Sequence, residues 1–154
     1  SMRTFPQKLA PHFQILSHTA SKNSLEASSQ PTKMSAEEVA KAFVQHYYQT
    51  FGTNVDGLAG LYNAQSMLTF EGQQFQGTEA IMAKLKGVGQ VKHTVKGIDI
   101  QPSANPNAIV IFVTGSVQIG GDNPLHFCEF FQLVSTGPGA YYVHNDVFRL
   151  NYGL

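Results

Sequence analysis

The chain has 154 residues, 42% of them apolar and 13% charged, which suits one globular domain with a substantial core. Ten basic and ten acidic residues cancel, yet residues 1–33 hold Arg3, Lys8, Lys22 and Lys33 against Glu26 alone, leaving six basic and nine acidic residues in 34–154. That balance argues against nucleic acid as a partner; no apolar run has the length of a membrane span, the six histidines lack metal-ligand spacing, and no phosphate-binding glycine loop is present, so neither a metal nor a cofactor is signalled.

Residues 1–33 are rich in Ser, Gln and Pro, and their apolar positions keep no sustained period. They read as a flexible N-terminal extension that at most packs on a neighbour, ahead of a single domain spanning 34–154. Ser35-Ala-Glu-Glu38 has the pattern of a capping box and predicts a helix start. Val39, Phe43, Tyr47 and Phe51 then recur every four residues, flanked by Ala40, Val44 and Tyr48, as a broad apolar stripe that Gly52 should end. A second short helix is expected from Val55 to Tyr62, with Leu58, Leu61 and Tyr62 turned inward. Met67, Leu68 and Phe70 predict a short strand, Glu71-Gly72 a turn, and Gln73–Gln76 the returning strand, which makes a hairpin with a carboxylate at its tip. A third helix, capped by Thr78, is expected over Glu79–Lys86, with Ile81, Met82 and Leu85 inward and Gly87 as its stop.

From Val91 the period changes to two. Val91, His93 and Val95 share one face and Ile98 and Ile100 resume on the other parity, which predicts a bulge at Lys96-Gly97. Ala108–Ile119, Leu125–Val134 and Tyr141–Tyr152 follow as long strands joined by short turns, an antiparallel meander. The lone Cys128 reads as a small buried apolar residue. Helices first and a meander afterwards give an α+β fold: a cone in which three N-terminal helices pack on a strongly bent, mainly antiparallel sheet. Strands apolar on both sides leave an outer face needing cover, so a homodimer is expected.

Three segments carry a family resemblance: Phe43-Val-Gln-His-Tyr-Tyr-Gln-Thr-Phe51, Thr69-Phe-Glu-Gly-Gln-Gln-Phe-Gln-Gly77 and Asn145-Asp-Val-Phe-Arg-Leu150. In their order and spacing, from about Ser35 to Tyr152, the chain resembles the nuclear transport factor 2 family. The resemblance implies the same cone fold and a dimeric carrier, not an enzyme, shuttling between cytoplasm and nucleus through the nuclear pore. It implies that GDP-bound Ran docks at the mouth of the cone, where an aromatic side chain of Ran inserts and basic Ran residues meet rim carboxylates. On this chain the rim falls on Glu71 and on Asp122, the one acid in Gly120-Gly-Asp-Asn123, and the lining on Phe70, Val88, Val91, Val147 and Phe148. It also implies binding of Phe-rich nucleoporin repeats near the start of the first helix. Ala36 stands there in place of an aromatic residue, with Phe5 and Phe13 of the extension as substitutes.

Two other readings stay open at this point. The same cone hosts isomerases and dehydratases acting on small hydrophobic substrates, for which His93, Asp99, His144 and Asp146 are the available bases, although the residues mark no catalytic group. The fold also serves as a scaffold or mRNA-export subunit without Ran. His93 is expected to be a hydrogen-bonded core histidine, and Asp146 to order backbone or pair with Arg149.

Overall fold

The computed structural model describes residues 13, 14 and 33–152. Helix α1 runs Ala36–Thr53, and its N-cap is Ser35, whose hydroxyl accepts from the Glu38 N–H at 3.2 Å. Glu38 is exposed, so the cap rests on the serine alone. Gly52 does not stop the helix: it lies within the last turn, and the end falls at Asn54, whose N–H bonds the Thr50 carbonyl. The apolar stripe is buried as its spacing requires, from Val39 through Phe51. Phe43 and Tyr47 meet Phe131 edge-on at ring separations of 5.0 and 4.9 Å, contacts that add to the free energy of burying such large side chains.

The expected second helix is a 3-10 helix over Val55–Leu61, which buries Leu58 and Leu61. Strands β2 (Met67–Phe70) and β3 (Gln73–Gln76) form the hairpin. Helix α2 covers Thr78–Val88 and buries Ile81, Met82 and Leu85. Its N-cap is Gly77, at φ 84°, with no side-chain cap bond. Thr78 has already entered the helix, because the sharp exit from β3 needs a left-handed residue one position earlier. The helix passes Gly87 and ends at Gly89.

Strands β4 (Val91–Pro102), β5 (Ala108–Ile119), β6 (Leu125–Gly137) and β7 (Ala140–Asn151) make the meander. The register of β4 on β5 slips between Val95 and Gly97, the expected bulge. Beside this bulge, where Gly115 pairs with Val95, backbones close in: a Cβ on Gly115 would lie 2.1 Å from the Thr94 carbonyl oxygen, so only glycine fits. The hairpin joins the meander through a parallel pairing of β2 with β7, giving the order β3-β2-β7-β6-β5-β4. Strand β1, Phe13–Gln14, pairs antiparallel with the start of β7 at Tyr141 and Ala140. There the extension is attached to the domain, and the Phe13 ring lies 6.0 Å from Phe43 and 4.9 Å from His46. Phe5 and the remainder of the extension lie outside the described residues.

The concave face of the bent sheet wraps α1. The convex face carries a cross-strand row formed by Phe112 of β5, Phe130 of β6 and Val147 of β7. Phe112 and Val147 are each 42% exposed, an apolar area larger than isolated surface residues make. Cys128 lies half-buried on this outer side of β6, because Phe127 and Glu129 take the two neighbouring inward places.

Candidate functional site

At the open end of the cone, the hairpin, α2, the start of β4 and the ends of β5 and β7 converge on a cleft. Phe51, Phe70, Leu85, Val88, Val91, His93, Val117, Ile119, Glu129 and Phe148 line it. Phe70 and Phe148 stack in its wall at 4.5 Å and 13°, and Phe127, which does not line the cleft, stacks on Phe148 at 5.6 Å and 19°. The Lys84 ammonium sits 5.0 Å from the Phe70 ring centre and donates to Gln73, tying α2 to the hairpin across the cleft edge. Only about 10 Å³ inside the cleft is free.

Glu71 reaches this rim through an unusual backbone. Its φ is +50° and that of Gly72 is +82°, both in the left-handed region that a two-residue hairpin turn of the primed kind demands. The Glu71 N–H donates to the Phe148 carbonyl at 3.0 Å, and a carboxylate oxygen of Glu71 accepts from the Leu150 N–H. The side chain thus extends the β2–β7 ladder beyond the end of the strand. Glu71 is half-buried and anchored, not a freely solvated loop acid.

Of the seven residues expected at the mouth, Phe70, Val88, Val91 and Phe148 line one cleft, and Glu71 adjoins it as the residue following Phe70. Val147 does not. Strand alternation puts Asp146 and Phe148 inward and turns Val147 to the convex face. Asp122 is exposed in the β5–β6 turn, where its N–H bonds the carbonyl of the lining residue Ile119 at 3.2 Å, and it does not line the cleft.

Beneath the cleft lies a buried polar cluster that strand patterning did not reveal. Tyr48 donates to Glu129 at 2.9 Å, and Tyr62 to Asp146 at 2.8 Å, while the Tyr47 and Tyr62 hydroxyls are 3.0 Å apart. Glu129 and Asp146 are 3% and 1% exposed. Burial, then the neighbouring Asp146 charge, pushes the Glu129 carboxyl well above the usual carboxylate range, and burial also raises Asp146. Asp146 engages tyrosines rather than Arg149 or backbone, and its second oxygen, Oδ1, has no partner. The signal in the sequence was the pairing of Tyr47, Tyr48 and Tyr62 with inward acids at Glu129 and Asp146.

His93 is packed among Tyr48, Phe51 and Phe127 at 4.5 to 5.3 Å. Burial lowers its pKa to about 4, so the ring is neutral, and its Nδ1 is buried without a hydrogen-bond partner. It is therefore not the hydrogen-bonded core histidine its strand position suggested. The four candidate bases do not converge: Asp99 is exposed on β4, and His144 meets only Tyr142.

A bent sheet folded over one long helix, with a closed aromatic cleft at its mouth, defines a cone-shaped α+β domain of the transport-factor type. The family description "Nuclear transport factor 2 (NTF2) domain" matches residues 39–150. The chain is 48% identical over 124 residues to nuclear transport factor 2B of Arabidopsis thaliana, an alignment covering 79% of this chain and 98% of that protein. It is 51% identical over 123 residues to nuclear transport factor 2 of Oryza sativa, covering 78% and 100%. The solved structure of nuclear transport factor 2 from Cryptosporidium parvum superposes with a TM-score of 0.70 at 45% identity, over 75% of this chain and 94% of that one. The chain belongs to the nuclear transport factor 2 family, and it is a nuclear import carrier, not an enzyme.

Proposed function

We propose that the cargo is GDP-bound Ran, held at the mouth of the cone, and that the carrier returns it from the cytoplasm to the nucleus through the pore. The observation that supports this reading is the cleft walled by Phe70 and Phe148 with the anchored Glu71 carboxylate beside it. An aromatic side chain from the partner gains the burial and ring contacts of the cleft, while a basic side chain meets Glu71 where part of its hydration is already displaced. Since the cleft is nearly filled, Phe70 yields its place against Phe148 as the incoming ring enters. Asp122, on its exposed turn, acts as a peripheral attractive charge of small energetic value.

The working unit is a homodimer joined through Phe112, Phe130 and Val147, whose exposed row gives two copies an apolar contact. Phe-rich nucleoporin repeats dock near the N-terminal half of α1. Phe13, lying against Phe43 and His46, supplies there the aromatic surface that Ala36 lacks. The test is titration of the purified chain with Ran in its two nucleotide states. Binding of GDP-loaded Ran with at least tenfold preference over the GTP-loaded form is expected, about 1.4 kcal/mol. Equal affinity, or none, overturns the reading.

A further inference from the structure

We propose that the trough between α1 and the edge strand β4 is a binding site for an amphipathic organic acid, an extended hydrocarbon bearing one carboxylate. This site shares Val91 and His93 with the cleft at the cone mouth but lies along α1, and it does not depend on the reading of that cleft.

The trough has a volume of about 920 Å³, within the range that small-molecule sites occupy. Its helical wall is Lys41, Val44, Gln45, Tyr48, Gln49, Gly52 and Thr53. These positions follow one another at three- and four-residue steps along one face of α1, a length of roughly 18 Å at the helical rise per residue. The facing wall comes from β4, where Val91, His93, Val95 and Ile98 line the trough. The bulge after Val95 turns Ile98 onto the same side as the odd-numbered residues before it. The result is a long apolar channel, suited in shape to an extended chain.

The charge of the lining sets the chemistry of the occupant. Lys41 and Lys92 are the only residues of the lining of the Lys, Arg, Asp or Glu type, on a domain that is otherwise acidic in balance. Lys92 makes no ion pair among the described residues, and Lys41 pairs only with the exposed Glu37, a contact of little energy. Gly52 packs against the Val91 carbonyl, so Lys41 and Lys92 stand toward opposite ends of the trough, and an anionic head is favoured at either end. A peptide strand is the poorer occupant. The exposed edge of β4 is broken by the bulge at Lys96 and ends at Pro102, so it offers no continuous ladder to pair with.

The experiment uses the full chain titrated with decanoate, with decanol as the uncharged probe, followed by calorimetry and by amide shifts in two-dimensional NMR. Saturable binding of one decanoate per chain is expected, with shifts centred on α1 and β4. Decanol, and decanoate on the double variant Lys41→Glu/Lys92→Glu, should bind at least about tenfold more weakly. Both lysines are exposed, and an unchanged melting curve will show that the double variant is folded. No saturable binding, shifts centred away from α1 and β4, or equal binding by decanol or by the folded double variant overturns the proposal.

Discussion

The carboxylate of Glu71 accepts a hydrogen bond from the backbone N–H of Leu150, so a residue placed at the rim also completes the joint between hairpin and meander. Two roles in one side chain call for two substitutions. Glu71→Gln keeps an acceptor for Leu150 and removes the charge, so stability should change by less than about 0.5 kcal/mol, while affinity for GDP-bound Ran falls. Glu71→Lys removes the acceptor as well. It should lower stability by about 1–3 kcal/mol and Ran affinity by about 2–5 kcal/mol. Parallel titrations and thermal melts separate the two effects, and full Ran affinity in folded Glu71→Gln would remove the charge from the recognition scheme.

In the proposed complex with Ran, the incoming aromatic ring enters the cleft where Phe70 stacks on Phe148. Phe70→Ala should cost about 2–4 kcal/mol of stability, less than a fully enclosed phenylalanine, because Phe70 is only half-buried. It should also weaken Ran binding through loss of a ring contact, even with the cleft opened. Tighter binding by the alanine variant would mean that Phe70 acts solely as a plug.

For the dimer, Phe112→Asp places a charge in the middle of the apolar row on the convex face. Sedimentation at micromolar concentration should give twice the chain mass for the parent protein and a single mass for the variant. The fold should persist, since Phe112 is 42% exposed. A parent protein that sediments as a monomer would contradict the dimer.

The buried acids and His93 make stability depend on pH from both sides. In the folded state the Glu129 and Asp146 pKa values are raised, so the native chain holds more protons than the unfolded one. Stability from this source is complete below the ordinary carboxylate pKa and is lost as pH rises toward the raised values, by up to ~1.4 kcal/mol per pH unit for each proton involved. His93 acts in the opposite sense: its pKa falls from 6.5 to about 4, so stability is lost as pH drops through that interval. A maximum of the melting temperature in mildly acidic solution is expected. Glu129→Gln, which still accepts from Tyr48, should flatten the neutral and alkaline side, and His93→Phe the acidic side. A parent profile without slope above pH 5 would show that the acids share no raised titration.

Phe13 tests the attachment of the extension. Because its ring contacts Phe43 and His46 and is partly buried, Phe13→Ala should lower stability by about 1–2 kcal/mol, a shift of a few degrees in the melting temperature. No shift would mean that the pairing of β1 with β7 contributes nothing to the fold.

The sequence by itself determined what depends on neighbours within a few positions. Ser35 marked the start of α1 through its hydroxyl, the four-residue aromatic spacing marked the buried face, Glu71-Gly72 marked the turn, and the change of parity at Lys96-Gly97 marked the bulge. Each is a local relationship between backbone geometry and side-chain type. The family resemblance, resting on contiguous motifs, was legible for the same reason. Of the lining residues, Phe70 and Phe148 lie within those motifs, while Val88 and Val91 lie between them and were placed by what the resemblance implies. Helix ends were less legible: each helix runs one residue past its glycine, Gly52 or Gly87, within the one or two residues by which helix ends fray.

Only the tertiary structure decided how distant segments meet. Nothing local to Met67–Phe70 specifies a parallel partner in β7, yet that pairing brings Phe70 against Phe148 and gives the Glu71 carboxylate to Leu150. Val147 and Phe148 are adjacent in sequence but face opposite sides of the sheet, so motif membership could not separate the cleft from the convex face. The cluster of Tyr47, Tyr48, Tyr62, Glu129 and Asp146 draws on four segments, α1, the end of the 3-10 helix, β6 and β7, and its raised proton affinities arise from mutual burial that no single segment carries. The trough between α1 and β4 likewise exists only because a bent sheet holds its edge strand away from the helix, leaving a gap whose shape depends on curvature accumulated over every strand.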